Sequence, residues 1–238
     1  MHWIKTVLLQ MATDAPVDEK TRKDISERIE TQVAISFSNP QEDPNAAQVG
    51  YWLMGLLMIF AEDRYGDSLI EPKKIRWCPA FRDIPSSRVG VNVATNDYPE
   101  IQYWIFLAHQ VDSWHQYFYE IAHEIVHLLC PVDTNVEKVA MLEEGVAVKF
   151  AENMYRDYVN PLSDFPVPIS PLKSPASQYA SAYLRASKIP DAVLKDVRLR
   201  CNGFHKVENP LFYSLVKDYV TTDDVYLLCE PFRYGQLY

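Results

Sequence analysis

The chain has 238 residues, of which 48% are hydrophobic and 23% charged, with a formal net charge of −9. These proportions are typical of a soluble globular protein, and the length suits a single sizeable domain. An acidic surface repels phosphate backbones, so nucleic-acid binding is not expected. The longest apolar run, Val49–Ala61, is shorter than the ~20 residues of a membrane span, and no secretory leader is recognisable. We therefore expect a cytoplasmic protein without a membrane span.

The four cysteines, Cys78, Cys130, Cys201 and Cys229, lie far apart and form no C-x-x-C pair. A zinc site built from cysteines is therefore not expected. Free thiols in a reducing compartment are the simpler interpretation.

Two helices are predicted in the first part of the chain. The charged stretch from Asp18 to about Glu30 has the spacing of an amphipathic helix. It either continues to Phe37 or gives way to a short strand over Val33–Phe37. Asn45–Tyr65 is apolar on most sides and is followed by Gly66, a residue that commonly ends helices. We expect this second helix to lie in the core, packed on a sheet.

Three short strands are predicted next, over Lys74–Cys78, Arg88–Thr95 and Ile101–Ala108. The second alternates valines with other residues, and the third is rich in aromatic and β-branched residues. Turn-forming residues separate the three segments.

The rest of the chain is predicted to be mostly helical. Asp112 or Ser113 can cap a helix from about Trp114 to Leu129, and a further helix is expected from about Val136 to Tyr158. A proline-rich loop, Pro161–Pro175, precedes three or four short helices over Ser177–Tyr238. This pattern predicts a mixed α/β core over 1–160 and a proline-rich loop with a helical C-terminal part over 161–238, which together form one compact unit.

Residues 121–128 read Ile-Ala-His-Glu-Ile-Val-His-Leu on the predicted helix 114–129. Because four residues rotate a helix by roughly 400°, His123 and His127 share one face and can bind one metal ion. Glu124 follows the first histidine and can take a proton from a water molecule that the metal activates. The sequence therefore predicts a Zn²⁺ site of the H-E-x-x-H kind.

A third metal ligand is expected on the next helix, where residues 141–147 read Met-Leu-Glu-Glu-Gly-Val-Ala. This arrangement resembles the gluzincin metallopeptidases, and most closely their aminopeptidase N-like branch, in which a second helix supplies a glutamate. The resemblance covers roughly residues 88–150 and implies a zincin-like fold. In that fold a small mixed sheet has a backing helix, an active-site helix and a glutamate helix. It also implies that Glu144, the residue before Gly145, is the ligand, with Glu143 beside it.

Two features of the family pattern are absent. The segment Val89–Ala94 lacks the glutamate with which aminopeptidases bind a free amine, and Val148 stands where thermolysin-like enzymes have an aspartate. Another group must then orient the histidines, and Asp133, Asn135 or a backbone carbonyl can do so. The resemblance also implies that Arg88–Thr95 or Ile101–Ala108 forms the cleft edge along which an extended peptide pairs.

Peptide hydrolysis needs a group that stabilises the oxyanion, and relatives use a His or Tyr downstream of the glutamate ligand. Candidates are His205, Tyr213, Tyr183 and Tyr179, of which His205 is selected as the catalytic residue. Tyr119 and Glu120 can line the cleft or serve packing and solvation.

The sequence therefore predicts an α+β zinc peptidase. His123, His127 and Glu144 bind Zn²⁺, Glu124 is the general base, and the substrate is a peptide or protein. Two alternatives remain open, namely a catalytically inactive zincin-like binding or regulatory protein and a helical interaction protein in which the motif is accidental. The sequence does not indicate the oligomeric state.

Overall fold

The computed structural model describes residues 3–92, 101–132, 138–162 and 170–233. Within these ranges the fold is α+β and mostly helical, with one small mixed sheet, as predicted. The helices are α1 (Trp3–Asp14), α2 (Glu19–Gln32), α3 (Ala46–Tyr65), α4 (Trp114–Leu128), α5 (Met141–Met154), α6 (Gln178–Ala186), α7 (Asp191–Cys201), α8 (Asn209–Val216) and α9 (Thr222–Cys229). The strands are β1 (Ala80–Arg82), β2 (Arg88–Asn92) and β3 (Gln102–Ala108).

Helix α1 is an element that the sequence analysis did not predict. Its buried residues Ile4, Val7, Leu8 and Met11 recur at helical spacing and enter the main core. The helix packs against α2 and α3. The apolar stretch near the N-terminus is thus part of the folded domain.

Helices α2 and α3 match the predicted positions. Asp18 caps the start of α2 by accepting a hydrogen bond from the Thr21 amide at 3.0 Å. Residues 33–37, which follow α2, are neither helix nor strand. The two predicted continuations, a longer helix or a short strand, are therefore both wrong. Helix α3 ends at Gly66, which adopts a positive φ of 93°. It packs mainly against α4 and α7, so the expectation that it packs on the sheet is wrong.

The sheet has the strand order β1-β3-β2. Strand β2 runs antiparallel to β3, with Val89 opposite Ile105, and β1 runs parallel to β3. The predicted strand Lys74–Cys78 is wrong, because residues 72–74 form a 3₁₀ turn and Ile75 makes only an isolated bridge to Tyr103. The last residues of the predicted strand Arg88–Thr95, from 93 onwards, lie outside the described residues.

Helices α4 and α5 are the centre of the molecule. Ser113, one of the two predicted caps, accepts a hydrogen bond from the Gln116 amide at the start of α4. Helix α5 begins at Met141, later than predicted, since 138–140 are not helical and 133–137 are outside the described residues. The Met141 amide donates to the Glu230 carbonyl at 2.8 Å, so the C-terminal segment fixes the first turn of α5.

The C-terminal part contains α6 to α9, in agreement with the predicted three or four short helices. Helix α6 packs closely on α5, and α9 contacts both. The proline-rich segment contributes short 3₁₀ turns at 160–162 and 171–173, while 163–169 lie outside the described residues. No helix in the described part of the chain is both long and apolar enough to cross a membrane.

Candidate metal centre

His123 and His127 lie on consecutive turns of α4 and are buried. The helix is held in place because its other faces carry large apolar residues, among them Phe118, Ile121 and Ile125, each with no exposed surface. The two imidazoles face α5, which packs alongside α4. The predicted sharing of one helix face is therefore what the structure has.

The third group is Glu144, which α5 directs at both histidines. Its Oε2 atom lies 3.2 Å from His123 Nε2 and 3.7 Å from His127 Nε2, and the two Nε2 atoms are 3.3 Å apart. All three candidate ligand atoms lie within 4.8 Å of one another.

These separations can be compared with those around a tetrahedral zinc ion. Ligand atoms about 2.0–2.1 Å from zinc at tetrahedral angles lie about 3.3 Å from each other. The three distances of 3.2, 3.3 and 3.7 Å are close to this value. The donor set of two imidazole nitrogens and one carboxylate oxygen therefore fits a metal ion with one further position open.

Glu143 has a different role from its neighbour. Its Oε1 atom lies 2.7 Å from His127 Nδ1, so the carboxylate accepts a hydrogen bond there and leaves Nε2 as the nitrogen that faces Glu144. Successive residues on a helix point about 100° apart, which is why the two glutamates reach opposite nitrogens of one ring. Sequence reasoning missed this orienting role. The proposed groups Asp133 and Asn135 lie outside the described residues.

The charges of this cluster shift its pKa values. Burial would raise the pKa of Glu144, but His127 and His123 lower it well below its usual range. Burial would lower the pKa of His127, but Glu144 and Glu143 raise it well above its usual value. The buried groups thus stabilise one another's charged forms.

Glu124 is buried beside the histidines and lines the cleft in front of them. Burial raises its pKa to about 7, although His127 and His123 act in the opposite direction. A carboxylate with a pKa near neutrality can both accept and release a proton there.

Tyr179, on α6, is the candidate tyrosine that reaches the site. Its ring packs edge-on against His123 with centroids 6.0 Å apart. Helix α6 comes so close because Gly145, directly after Glu144, has no side chain. A Cβ at that position would lie 2.6 Å from the Ala182 carbonyl oxygen. The glycine that was used to identify the glutamate ligand therefore also positions Tyr179.

The other predicted oxyanion candidates lie elsewhere. His205 is buried behind the site, with Nδ1 3.4 Å from Glu143 Oε2, and it does not line the cleft. Gly203 precedes it with a φ of +126°, and a Cβ there would meet the His205 ring at 2.8 Å. Tyr183 and Tyr213 are not among the residues lining the cleft, and Tyr213 is exposed. The catalytic role of His205 stays a prediction that its position behind Glu143 does not favour.

A cleft opens in front of the three candidate ligands. One wall consists of Pro85–Val89, which leads into and begins β2, and the opposite wall includes Tyr179. Among the described strands, β2 pairs only with β3 and is an edge strand of the sheet. Of the two segments predicted for the cleft edge, Arg88–Thr95 contributes lining residues, Arg88 and Val89.

Comparison with protein-family models, with curated proteins and with solved structures finds no match to this chain. The function is therefore inferred from the geometry and chemistry of the cleft alone.

Proposed function

We propose that this chain is a zinc-dependent peptidase with a zincin-like catalytic core of the gluzincin type. The observation that carries the proposal is the convergence of His123, His127 and Glu144, whose ligand atoms have the mutual distances of a tetrahedral metal site. Two imidazoles and one carboxylate with an open position are a typical ligand set of catalytic zinc.

Zinc suits the site better than harder cations do. Mg²⁺ and Ca²⁺ prefer six or more oxygen ligands, whereas this site offers two nitrogens and one oxygen. Bound there, Zn²⁺ supplies the Lewis acidity that lowers the pKa of a water molecule towards 7 and polarises a substrate carbonyl.

Glu124 is the proton carrier of the proposed reaction. It takes a proton from the attacking water as the oxygen adds to the scissile carbonyl carbon. It then returns the proton to the amine nitrogen as the C–N bond breaks. Its burial, and the resulting pKa of about 7, suit both transfers at neutral pH.

Tyr179 is assigned the stabilisation of the oxyanion. Burial raises the pKa of Tyr179 above its usual range, and Glu144 and Glu124 raise it further, so the hydroxyl stays protonated at neutral pH. A protonated hydroxyl at the cleft wall can donate a hydrogen bond to the developing negative charge. His205 is assigned a positioning role, because it contacts Glu143, which in turn orients His127.

The substrate is proposed to be a peptide or protein segment bound in an extended conformation. Strand β2 lies at the edge of the described sheet and begins beside the cleft, which is the position that strand addition requires. Such pairing aligns the scissile carbonyl across the face of α4 that carries the two histidines.

The decisive experiment is Glu124→Gln in the zinc-loaded full chain. We expect peptide cleavage to fall by about 10²–10⁴-fold, because the amide cannot carry the proton, while one metal ion per chain is retained. Cleavage is measured on a broad peptide library and metal content by elemental analysis. Glu27→Gln, on the exposed side of α2, serves as the charge-matched control and keeps wild-type activity.

Full activity of Glu124→Gln would contradict the proposed mechanism. A wild-type chain that binds one zinc ion but cleaves no member of the library would instead favour a binding or regulatory protein. A chain that binds no metal would leave the helical interaction protein as the remaining alternative.

A further inference from the structure

The cleft consists of two chambers that meet at the candidate metal centre. The larger chamber has a volume of about 330 Å³ and the smaller about 190 Å³. Both are lined by Ser86, Ser87, His123, Glu124 and Tyr179. A substrate bound across the site would therefore place one flank of the scissile bond in each chamber.

Some side chains line only one of the two chambers, and these side chains differ in polarity and charge. Away from the candidate ligands, the larger chamber is lined by Val89, Val132 and Val139 and by one cationic residue, Arg88. The smaller chamber is lined by Glu120, whose carboxyl group lies on α4 three residues before His123. Residues at this spacing share a helix face, so Glu120 and the metal ligands point into the same cleft.

Glu120 lacks the cationic side-chain partner that two other partly buried carboxylates, Asp224 and Asp191, have in the described ranges. Asp224 lies 3.0 Å from both Arg185 and Lys188, and Asp191 lies 2.6 Å from Lys149. In the described ranges no Lys or Arg nitrogen pairs with Glu120, and its neighbours include the Ser87 hydroxyl, His123 and the carboxyl group of Glu124.

One side of the smaller chamber is held by hydrogen bonds that Tyr119 and the residues behind it make. The Tyr119 hydroxyl donates to Glu152 Oε1 at 3.0 Å, and the Ser170 hydroxyl donates to the same oxygen. These bonds hold the Tyr119 side of the chamber in place. Glu120 and Glu124 both line this chamber, and in the described ranges neither carboxyl group pairs with a Lys or Arg nitrogen, so Glu120 has capacity left for a cationic ligand beside Glu124.

A partly buried carboxylate without a cation costs stability, and a ligand that brings the cation removes that cost. On the basis of the proposed peptidase function, we propose that Glu120 forms the anionic end of a subsite for a cationic substrate group. The group is either a free α-ammonium or a Lys or Arg side chain, on the flank of the scissile bond that enters the smaller chamber. The geometry thus gives the chain a specificity determinant that its missing amine-binding glutamate near Val89–Ala94 does not supply.

The test uses one synthetic peptide library in three forms and the zinc-loaded full chain. The forms have free N-termini, acetylated N-termini, or acetylated N-termini with Lys and Arg replaced by norleucine. Loss of cleavage on acetylation identifies the α-ammonium as the ligand. Cleavage that survives acetylation, with Lys and Arg enriched at one position, and that disappears with norleucine identifies a side chain.

The variant is Glu120→Gln, with Glu27→Gln as the charge-matched control outside the cleft. We expect Glu120→Gln to reduce the preference for the cationic form by at least 10-fold, while Glu27→Gln keeps it. Equal cleavage of all three forms by the wild type would overturn the proposal and leave the peptidase function intact. An unchanged preference in a metal-loaded Glu120→Gln would overturn it as well.

A binding experiment tests the subsite even if the chain proves not to be a peptidase. The Glu124→Gln chain is immobilised, and the peptides that it retains from the same three libraries are identified by mass spectrometry. Enrichment of the cationic forms that disappears in the Glu120→Gln/Glu124→Gln chain would support the subsite even without cleavage. Equal retention of the three forms would overturn it.

Discussion

Helix α3 and the pair α4–α5 are both buried, but they are buried by different means. Helix α3 places apolar residues in the core along almost its whole length, including Leu53, Leu57 and Phe60. Helices α4 and α5 bury ionisable residues in the middle of an otherwise apolar interface, namely His123, Glu124, His127, Glu143 and Glu144. Burial of apolar area is the main source of stability along the body of α3.

The difference indicates what each region is for. Burying carboxylates and imidazoles without compensation costs several kcal/mol, so a fold keeps such a cluster only where its members satisfy one another or a ligand. Here the hydrogen bond from His127 to Glu143 satisfies one side of the ring, and the other side faces Glu144 and His123. The α4–α5 pair therefore has the arrangement expected of the proposed metal centre, and α3 packs against α4.

The largest expected effect comes from removing the ligand on α5. Glu144→Gln should weaken zinc binding by more than ~100-fold, because loss of a ligand exceeds the 10–100-fold effect of losing a group that only orients one. Zinc content after dialysis against a graded chelator series measures this. Activity should be lost together with the metal.

The matched variant lies in the apolar region. Leu57→Ala should lower the free energy of unfolding by about 2–5 kcal/mol while one zinc ion per chain is retained below the unfolding transition. If Glu144→Gln kept wild-type affinity and Glu143→Gln lost the metal, the ligand and the orienting residue would have to be exchanged.

A second effect is expected where the two regions meet. Arg198, on α7, is 2% exposed and donates hydrogen bonds to the carbonyls of Tyr65, Asp67 and Leu129. It thereby links the end of α3 to the end of α4. Arg198→Met leaves these carbonyls without the donor and should destabilise the fold by about 2–3 kcal/mol in urea unfolding.

The control for this prediction is Arg200→Met on the same helix. Arg200 is exposed, and among the described residues its ion pair is with Asp196 one turn earlier, so its loss should change stability by less than about 1 kcal/mol. Equal effects of the two variants would show that the carbonyl contacts of Arg198 do not stabilise the fold.

The sequence allowed α3 and α4 to be predicted well, because their signals are local. Asn45–Tyr65 is continuously apolar and followed by Gly66, and the histidine spacing on α4 is itself helical. Strand β1 could not be located, because its pairing with β3 is parallel and joins segments distant in the chain. Ile75 and Trp77 suggested a strand at 74–78, yet the Trp77 indole donates to the Pro72 carbonyl within a local turn.

The residues of the candidate site likewise fall into those that local sequence patterns predict and those that depend on tertiary packing. His123, Glu124 and His127 are readable from one helix, and Glu144 from the text around Gly145. The orienting role of Glu143 depends on which side of His127 it reaches, and that is set by the packing of α4 on α5. The approach of Tyr179 depends on the contact of Gly145 with Ala182 of α6, which no local pattern displays.

A third, smaller effect concerns orientation within the metal centre. Glu143→Gln should weaken zinc binding by about 10–100-fold, since the amide accepts a weaker hydrogen bond from His127 Nδ1. Added zinc should restore turnover, because no proposed chemical step uses Glu143. A turnover that stays low at saturating zinc would instead place Glu143 in the reaction. His205→Phe should show the same rescue, and its failure would support the catalytic role predicted for His205.

The smallest effect is expected at the entrance to α3, where one carboxylate is buried without a metal. Asp43 is 5% exposed, and it accepts hydrogen bonds from the amides of Ser36, Phe37 and Asn45 at 2.6–2.9 Å. Burial would raise the pKa of Asp43, but these amides lower it below its usual value. The stabilisation that a lowered pKa provides is fully present above the pKa of the group in the unfolded chain, which is about 4. It is lost as the pH falls through the pKa of the group in the folded protein.

Asp43→Asn should therefore destabilise the chain by about 1–2 kcal/mol at pH 7, and the difference from wild type should shrink as the pH falls below about 4. Urea unfolding at a series of pH values measures both. The exposed Asp63→Asn is the control and should show no such trend. If the difference in unfolding free energy were the same at every pH, the amide contacts of residue 43 would stabilise the fold without any contribution from its charge. Because α3 has no buried ionic cluster, its only strong pH response should come from this one carboxylate at its N-terminal end.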